Sequence, residues 1–334
     1  MAAKKYVLKP LPHEHLHIVP AAASFKINYK QDLNPAQYEA VTTTLGPLLV
    51  IAGAGTGKTR TIVYRVSYLI ENGVSPERIL LLTFTRKAAR EMLSRATQLL
   101  DSRCDKVSGG TFHSFANMVL RRHAQLAGYD SNFTILDQSD AEDTINVVRR
   151  RLKLDERARR FPQKQTLLDI YSRSINTATP VEKIVERDYP RYIEDVLDMQ
   201  SVFQAYIGFK KSNNKMDYDD LLVNLVELMK THKDVRDRIS AKYQYIMVDE
   251  YQDTNALQSA AVKLLTSVHT NVMVVGDDAQ CIYSFRGSTI ENILKFEKEY
   301  PGCRVIKLEE NYRSTQQILD LANTVMKNSF RLSQ

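Results

Sequence analysis

Cysteine is scarce in this 334-residue chain, and the three present, Cys104, Cys281 and Cys303, stand far apart. That spacing argues against a disulfide framework and against a zinc site, and it suits a reducing compartment. Long apolar runs are missing too, so nothing in the sequence approaches a membrane-spanning helix. The opening residues, MAAKKYVLKPLPHEHLH, start basic but have no apolar stretch behind them and do not read as a secretory signal. A soluble, cytoplasmic protein is expected. Acidic residues fall short of basic ones, 39 against 46, for a net charge of +7. This favours a polyanionic partner only slightly, because a mild basic excess is common on solvated surfaces.

The length allows two domains, or one large α/β domain with an insertion. Residues 1 to about 30 carry Pro10, Pro12 and Pro20 and no periodic pattern, which reads as a mobile or loosely docked leader. His13, His15 and His17 alternate there as ligands on a strand would. No Cys or acidic cluster completes a site, so a polar tail is the preferred reading.

The chain is organised around LVIAGAGTGKTRT, residues 49–61. An apolar run ends in a loop of small residues, Ala52, Gly53, Ala54, Gly55, Thr56 and Gly57, which delivers Lys58 and Thr59 to the start of a helical pattern. Backbone N–H groups of such a loop can turn inward on a polyphosphate, and the following helix adds the positive end of its dipole. Lys58 then serves the β- and γ-phosphates and Thr59 a Mg²⁺ ion. Ala52 stands where the motif has Gly, a small replacement that still leaves room for the turn. Just upstream, Asn34 and Pro35 begin a short helix that brings Gln37 within reach of a bound base, where its amide could both donate and accept.

Four further apolar runs end in polar residues. Ile79–Phe84 leads into Thr83, Phe84, Thr85, Arg86 and Lys87, which suit either a phosphodiester contact or a capped helix start. Val107–Phe112 leads into His113 and Ser114; Phe112 suits either the core or base stacking, and His113 a structural hydrogen bond. Tyr245–Asp249 ends in Asp249-Glu250, a pair suited to holding a metal and accepting a proton from water. Val272–Gly276 precedes Gln280, a candidate γ-phosphate contact, and Tyr283, Phe285 and Arg286 on a polar loop. From Phe115 to Tyr218 strand-like runs almost vanish, and a helical insertion into one α/β domain is expected. Its basic stretch, Arg149 to Lys164, reads as a solvated face or a phosphate-tracking surface. Asp217, Asp219 and Asp220 crowd a helix start, where capping accounts for them.

Together the motifs LNPAQ (33–37), AGAGTGKTR (52–60), TFTRKAA (83–89), GTFHSF (110–115), DYDDLL (217–222), VDEYQD (248–253), VGDDAQCIYSFRG (275–287) and LEENYRS (308–314) resemble superfamily 1 DNA helicases of the UvrD/Rep/PcrA type. The resemblance implies an α/β, RecA-like P-loop NTPase with a parallel sheet. Domain 1A would be residues 30–114 plus 219–303, with the helical insertion 115–218 as 1B and residues 304–334 opening domain 2A. It implies ATP and Mg²⁺ as cofactors. Gln37, Arg60 and Tyr312 would hold the adenine, Lys58 and Thr59 the phosphates and metal, Asp249 the metal, and Glu250 would be the general base. Gln280 and Arg313 would contact the γ-phosphate. Phe84, Thr85, Phe112, His113, Tyr283, Phe285 and Arg286 would line a single-strand track. Relatives commonly carry Trp where Phe285 stands, and this chain has no Trp.

The implied activity is a 3′→5′ DNA helicase acting on single strands and single-strand/duplex junctions in DNA repair or replication. The motifs that complete domain 2A are missing, which reads as the N-terminal half of a longer protein. That half is expected as a monomer that binds Mg-ATP, hydrolyses little and does not unwind until joined by its 2A/2B half. The alternatives are an ATP-gated nucleic-acid-binding module and a translocase that does not unwind.

Overall fold

A computed structural model describes residues 25–154, 161–277, 291–322 and 324. Its strands in chain order are β1 (Leu48–Ala52), β2 (Ile79–Thr83), β3 (Ser108–Thr111), β4 (Thr134–Ile135), β5 (Lys215–Met216), β6 (Tyr245–Val248), β7 (Val272–Gly276) and β8 (Arg304–Leu308). Its helices are α1 (Tyr29–Asp32), α2 (Pro35–Thr42), α3 (Lys58–Glu71), α4 (Arg86–Leu99), α5 (Phe112–Arg122), α6 (Gln138–Arg151), α7 (Lys164–Thr177), α8 (Val181–Asp188), α9 (Val196–Ser212), α10 (Tyr218–Thr231), α11 (Lys233–Lys242), α12 (Ala256–Leu265) and α13 (Glu291–Glu299). Six strands form one sheet in the order β3-β2-β6-β7-β1-β8, with every neighbouring pair parallel.

Strand side chains alternate between the two faces, and here both faces are covered. Leu49, Leu80, Leu82, Ile246, Val248, Val272 and Val274 join α5, α10, α12 and α13 in one core. Leu48, Val50, Ile79, Leu81, Met247, Met273 and Val275 join α2, α3 and α4 in the other. Burial on both sides explains why these strands read as unbroken apolar runs. The expected α/β fold with a RecA-like parallel sheet is present.

Helices α6 to α9 build a third core of their own, from Leu136 to Tyr206. Residues 112–133 pack instead with the sheet, through Phe115, Val119, Leu120 and Phe133. Three local features hold the two parts together. Lys210, 1% exposed, ion-pairs with Asp217 at 2.5 Å and Asp220 at 2.7 Å. Asp217 caps α10 in a capping box with Asp220, as its position at a helix start suggests. The amide of Asn176 on α7 donates to Asp219 at 2.8 Å and accepts from Asn255, the cap of α12, at 2.6 Å.

The leader, read as mobile or loosely docked to residue 29, packs on α3 from Phe25 onward. Tyr29 donates to Glu71 and lies edge-on to Tyr64 and Tyr68, the interleaving of rings that a sparse apolar pattern conceals. A second domain was expected to open at residue 304. Instead β8 completes the first sheet, its register running Leu48↔Arg304 to Ala52↔Leu308. Of the basic stretch, Arg149 bonds the Pro162 carbonyl at 3.1 Å and Asn146 at 2.9 Å, Lys164 bonds Asp143, and Arg151 lies over the Phe209 ring. Arg157, Arg159 and Arg160, like His13, His15, His17 and Cys281, lie outside the described residues. Among the described residues no helix is long and apolar enough to cross a membrane.

Candidate nucleotide-binding site

Every strand of the sheet points its carboxyl end the same way, and the motif residues follow from those ends, where open α/β sheets form their ligand crevice. The loop after β1 turns through Gly55 (φ +84°) and Gly57 (φ +92°), left-handed conformations that Gly adopts at no steric cost. Thr56 fixes the turn by donating its hydroxyl to the Gly53 carbonyl at 2.8 Å. Gly57 then opens α3, so Lys58 and Thr59 stand in the first helical turn.

Helix α2 buttresses this loop. Asn34 and Gln37 form its capping box, and the Gln37 Nε2 donates to the Thr56 carbonyl at 3.0 Å. Gln37 is 2% exposed, so its amide is engaged with the loop rather than held out to solvent. Arg65, also 2% exposed, pins α2 to α3 by donating to the carbonyls of Ala40 at 2.6 Å and Thr43 at 2.5 Å. Arg60 donates to the Asp32 carbonyl at 2.7 Å and lies over the Tyr64 ring. Tyr312 is exposed, and its hydroxyl accepts from Asn34 at 2.9 Å. Gln37, Arg60 and Tyr312 thus flank one end of the loop, Tyr312 with its ring open.

The acidic pair comes from β6, two strands from β1. The Asp249 N–H extends the ladder to the Leu82 carbonyl at 2.9 Å, after which Glu250 turns out in a left-handed conformation, φ 50°. Lys58 meets Glu250 at 3.0 Å, and Gln252 donates to the same carboxylate oxygen at 2.8 Å. Gln252 in turn accepts from the Asp277 N–H at 3.0 Å, tying the end of β7 to this turn. Asp249 is 6% exposed, and its Oδ1 has no hydrogen-bond partner. Burial and then the Glu250 charge push its carboxyl up to about 7, against the pull of Lys58. Asp253, one turn on, is raised to about 6 by burial and Glu250, and its buried Oδ1 is likewise unpartnered.

Ligand pockets commonly span about 300–1,000 Å³. Here Thr59, Asp249, Glu250, Gln252, Asp253 and Arg313 share a cavity of ≈ 640 Å³ with Phe84, Thr85 and Arg95. An orphaned buried carboxylate oxygen and a Thr hydroxyl on one cavity are hard-oxygen donors of the kind Mg²⁺ takes when phosphates complete its shell. The residues present therefore fit that ion. Gln280 lies outside the described residues.

A second cavity, ≈ 390 Å³, lies across the wall made by Phe84 and Asp253, which line both. His113, Arg173, Asn176, Asp219 and Asn255 line it further. Burial lowers the His113 pKa, favouring neutral imidazole, and its ring meets the exposed Tyr218 edge-on at 5.8 Å. Thr85 caps α4, accepting from the Ala88 N–H at 3.1 Å, so the capped-start reading holds for its hydroxyl. Phe112 is corrected: at 4% exposure it belongs to the core, because the helix it opens turns it onto the sheet. Tyr283, Phe285 and Arg286 lie outside the described residues. Sequence reasoning missed Gln252, Arg65, Lys210 and Tyr218. The position of Tyr218 between Asp217 and Asp219, an aromatic in a polar helix start, was the one available signal.

The sequence model of the UvrD/REP helicase N-terminal domain matches residues 33–301. ATP-dependent DNA helicase PcrA of Staphylococcus aureus is 42% identical over 302 residues, 89% of this chain and 40% of that protein. PcrA of Bacillus subtilis is 42% identical over 303 residues, with the same coverage. The chain thus spans 40% of the length of these relatives.

Proposed function

Because the chain belongs to the UvrD/REP helicase family, we propose that it forms the nucleotide-binding part of an ATP-dependent DNA helicase. The observation that carries this reading is the meeting of Thr59, Asp249, Glu250 and Arg313 on one cavity, with Lys58 at 3.0 Å from Glu250.

The proposed roles follow from charge and geometry. Loop N–H groups and the α3 terminus receive the triphosphate, and Lys58 exchanges its Glu250 partner for phosphate oxygens. That exchange releases Glu250 to take a proton from the attacking water, while Gln252 keeps its carboxylate oriented. Thr59 and Asp249 would hold Mg²⁺, which neutralises phosphate charge when bound. Arg313 stabilises charge developing on the γ-phosphoryl group. Tyr312 stacks on the base, flanked by Arg60 and Gln37. Single-stranded DNA lies along Phe84, Thr85 and His113, joined by Tyr218 and by Tyr283, Phe285 and Arg286.

The rest of the proposal rests on the motif set. Residues 30–114 and 219–303 form domain 1A, here enlarged by β8, and the helical core between Leu136 and Tyr206 is the body of 1B. Movement is 3′→5′, in DNA repair or replication, and strand separation requires a second RecA-like lobe closing on this one.

The test is Glu250→Gln in a longer chain that carries the second RecA-like lobe, assayed for ATP binding and for hydrolysis with oligo-dT. Binding should stay within about threefold while hydrolysis falls about a hundredfold or more, the usual share of a general base. Hydrolysis at the wild-type rate would remove Glu250 from the chemistry. Unchanged ATP binding by Lys58→Ala would remove the site.

A further inference from the structure

Between β8 and the helical turn at 316–322, residues 309–314 lie directly on the phosphate loop. Asn311 Nδ2 donates to the Ala54 carbonyl at 2.6 Å, and the Tyr312 N–H donates to the next carbonyl, Gly55, at 2.9 Å. The other end of the same amide, Asn311 Oδ1, accepts from the N–H groups of Arg313 and Ser314, both at 2.9 Å. The fit leaves no spare room. A Cβ on Gly55 would lie 2.7 Å from the Arg313 Cβ and 2.8 Å from Asn311 Oδ1.

A peptide plane has its carbonyl and the following N–H on opposite edges. Holding the carbonyls of Ala54 and Gly55 outward therefore turns the N–H groups of Gly55 and Thr56 inward, toward the side where phosphate oxygens would sit. One planar side chain fixes this orientation and, through its oxygen, the backbone of the arginine-bearing turn.

We infer that Asn311 is a positioning residue that clamps the phosphate loop to the Arg313 segment, presetting the loop N–H groups and the arginine as a unit. The inference rests on the nucleotide reading above and adds to it a residue that need not touch the nucleotide. Asp at 311 separates the two functions of the amide. A carboxylate still accepts from Arg313 and Ser314 but repels the Ala54 carbonyl; once protonated, it can donate to that carbonyl again.

The experiment uses the 334-residue chain and its Asn311→Asp and Asn311→Ala variants, titrated with a fluorescent ATP analogue and Mg²⁺ between about pH 4, near the ordinary Asp pKa, and pH 8. Thermal unfolding of each variant serves as a fold control. At pH 8 both variants should bind about tenfold more weakly than wild type, the scale of one lost hydrogen bond to a preorganised loop. Asn311→Asp should recover toward wild type as pH falls, and Asn311→Ala should not. Hydrogen exchange at the Tyr312 amide, read without nucleotide, should quicken in Asn311→Ala. Variants that bind as tightly as wild type at pH 8, or parallel pH profiles for the two variants, would overturn the inference. If wild type failed to bind ATP, the nucleotide reading would fall, while the Tyr312 exchange rate would still decide whether the clamp exists: unchanged exchange in Asn311→Ala refutes it.

Discussion

Asp249 carries an unusual load for a single side chain, because it is buried, lacks a hydrogen bond at Oδ1 and stands beside a second carboxylate. Its folded pKa, about 7, lies above the ordinary value of 3.8. The folded protein therefore holds a proton that the unfolded chain releases well before neutrality. That contribution to stability is complete below pH 4 and is lost as pH rises through about 7. Without divalent cation, Asp249→Asn should raise stability at pH 8 by roughly 1–3 kcal/mol, a melting shift of several degrees, and the gain should vanish near pH 4. Asp253, raised to about 6 for the same reasons, should slope the wild-type profile in the same direction. Thermal melts of both proteins across this range decide the matter; an Asn variant no more stable than wild type at pH 8 would mean that Asp249 is not strained by burial. The Glu250 backbone adds a second local cost, since φ 50° is a conformation that non-Gly residues adopt sparingly.

Elements were legible where their signal was local. Asn34-Pro35 capped α2, Gly73 followed the end of α3, and runs such as ILLLT became strands because a sheet covered on both faces needs no polar alternation. What sequence could not give was pairing across distance. β8 reads the same whether it opens a new sheet or closes an old one, and its partner β1 lies some 250 positions back. Phe112 has an ambiguous place at the strand end, and only the direction of α5 sends it inward. Lys210 was hidden for the same reason: at the end of α9 it looks like a solvated charge, yet the return of β5 and α10 buries it against Asp217, Asp220 and the Tyr206 ring. Lys210→Met should therefore leave two carboxylates buried without a cation, at a cost of about 3–5 kcal/mol. The loss should be greater at pH 8 than at pH 5, where one carboxyl can take up a proton. Equal destabilisation at the two pH values would mean that packing of the Lys stem, not its charge, holds α9 to α10.

At the scale of the whole molecule, one sheet carries two cavities on its carboxyl edge, and the same two residues, Phe84 and Asp253, face both. Phe84 follows β2 and Asp253 lies three residues beyond Glu250 in the turn after β6, strands that are direct neighbours. A strand of DNA seated on the Phe84 ring would press on the wall that also bounds the cavity proposed for nucleotide. Any resulting change in nucleotide affinity must appear as an equal change in DNA affinity, because binding linkage is reciprocal. For the 334-residue chain the expectation is that oligo-dT and a non-hydrolysable ATP analogue alter each other's Kd by the same factor, about fivefold or more. Phe84→Ala should weaken oligo-dT binding, since a stacked ring contributes about 1–3 kcal/mol per base. It should also bring the coupling factor toward one while leaving nucleotide affinity in the absence of DNA within about twofold, a change too small to count as a lost contact. The measurement is a pair of titrations for each protein, nucleotide with and without oligo-dT and the converse. If Phe84→Ala lost DNA affinity but kept full coupling, the signal would have to cross the molecule elsewhere, with the Asn176–Asn255–Asp219 bridge between α7, α12 and α10 as the next connection to cut.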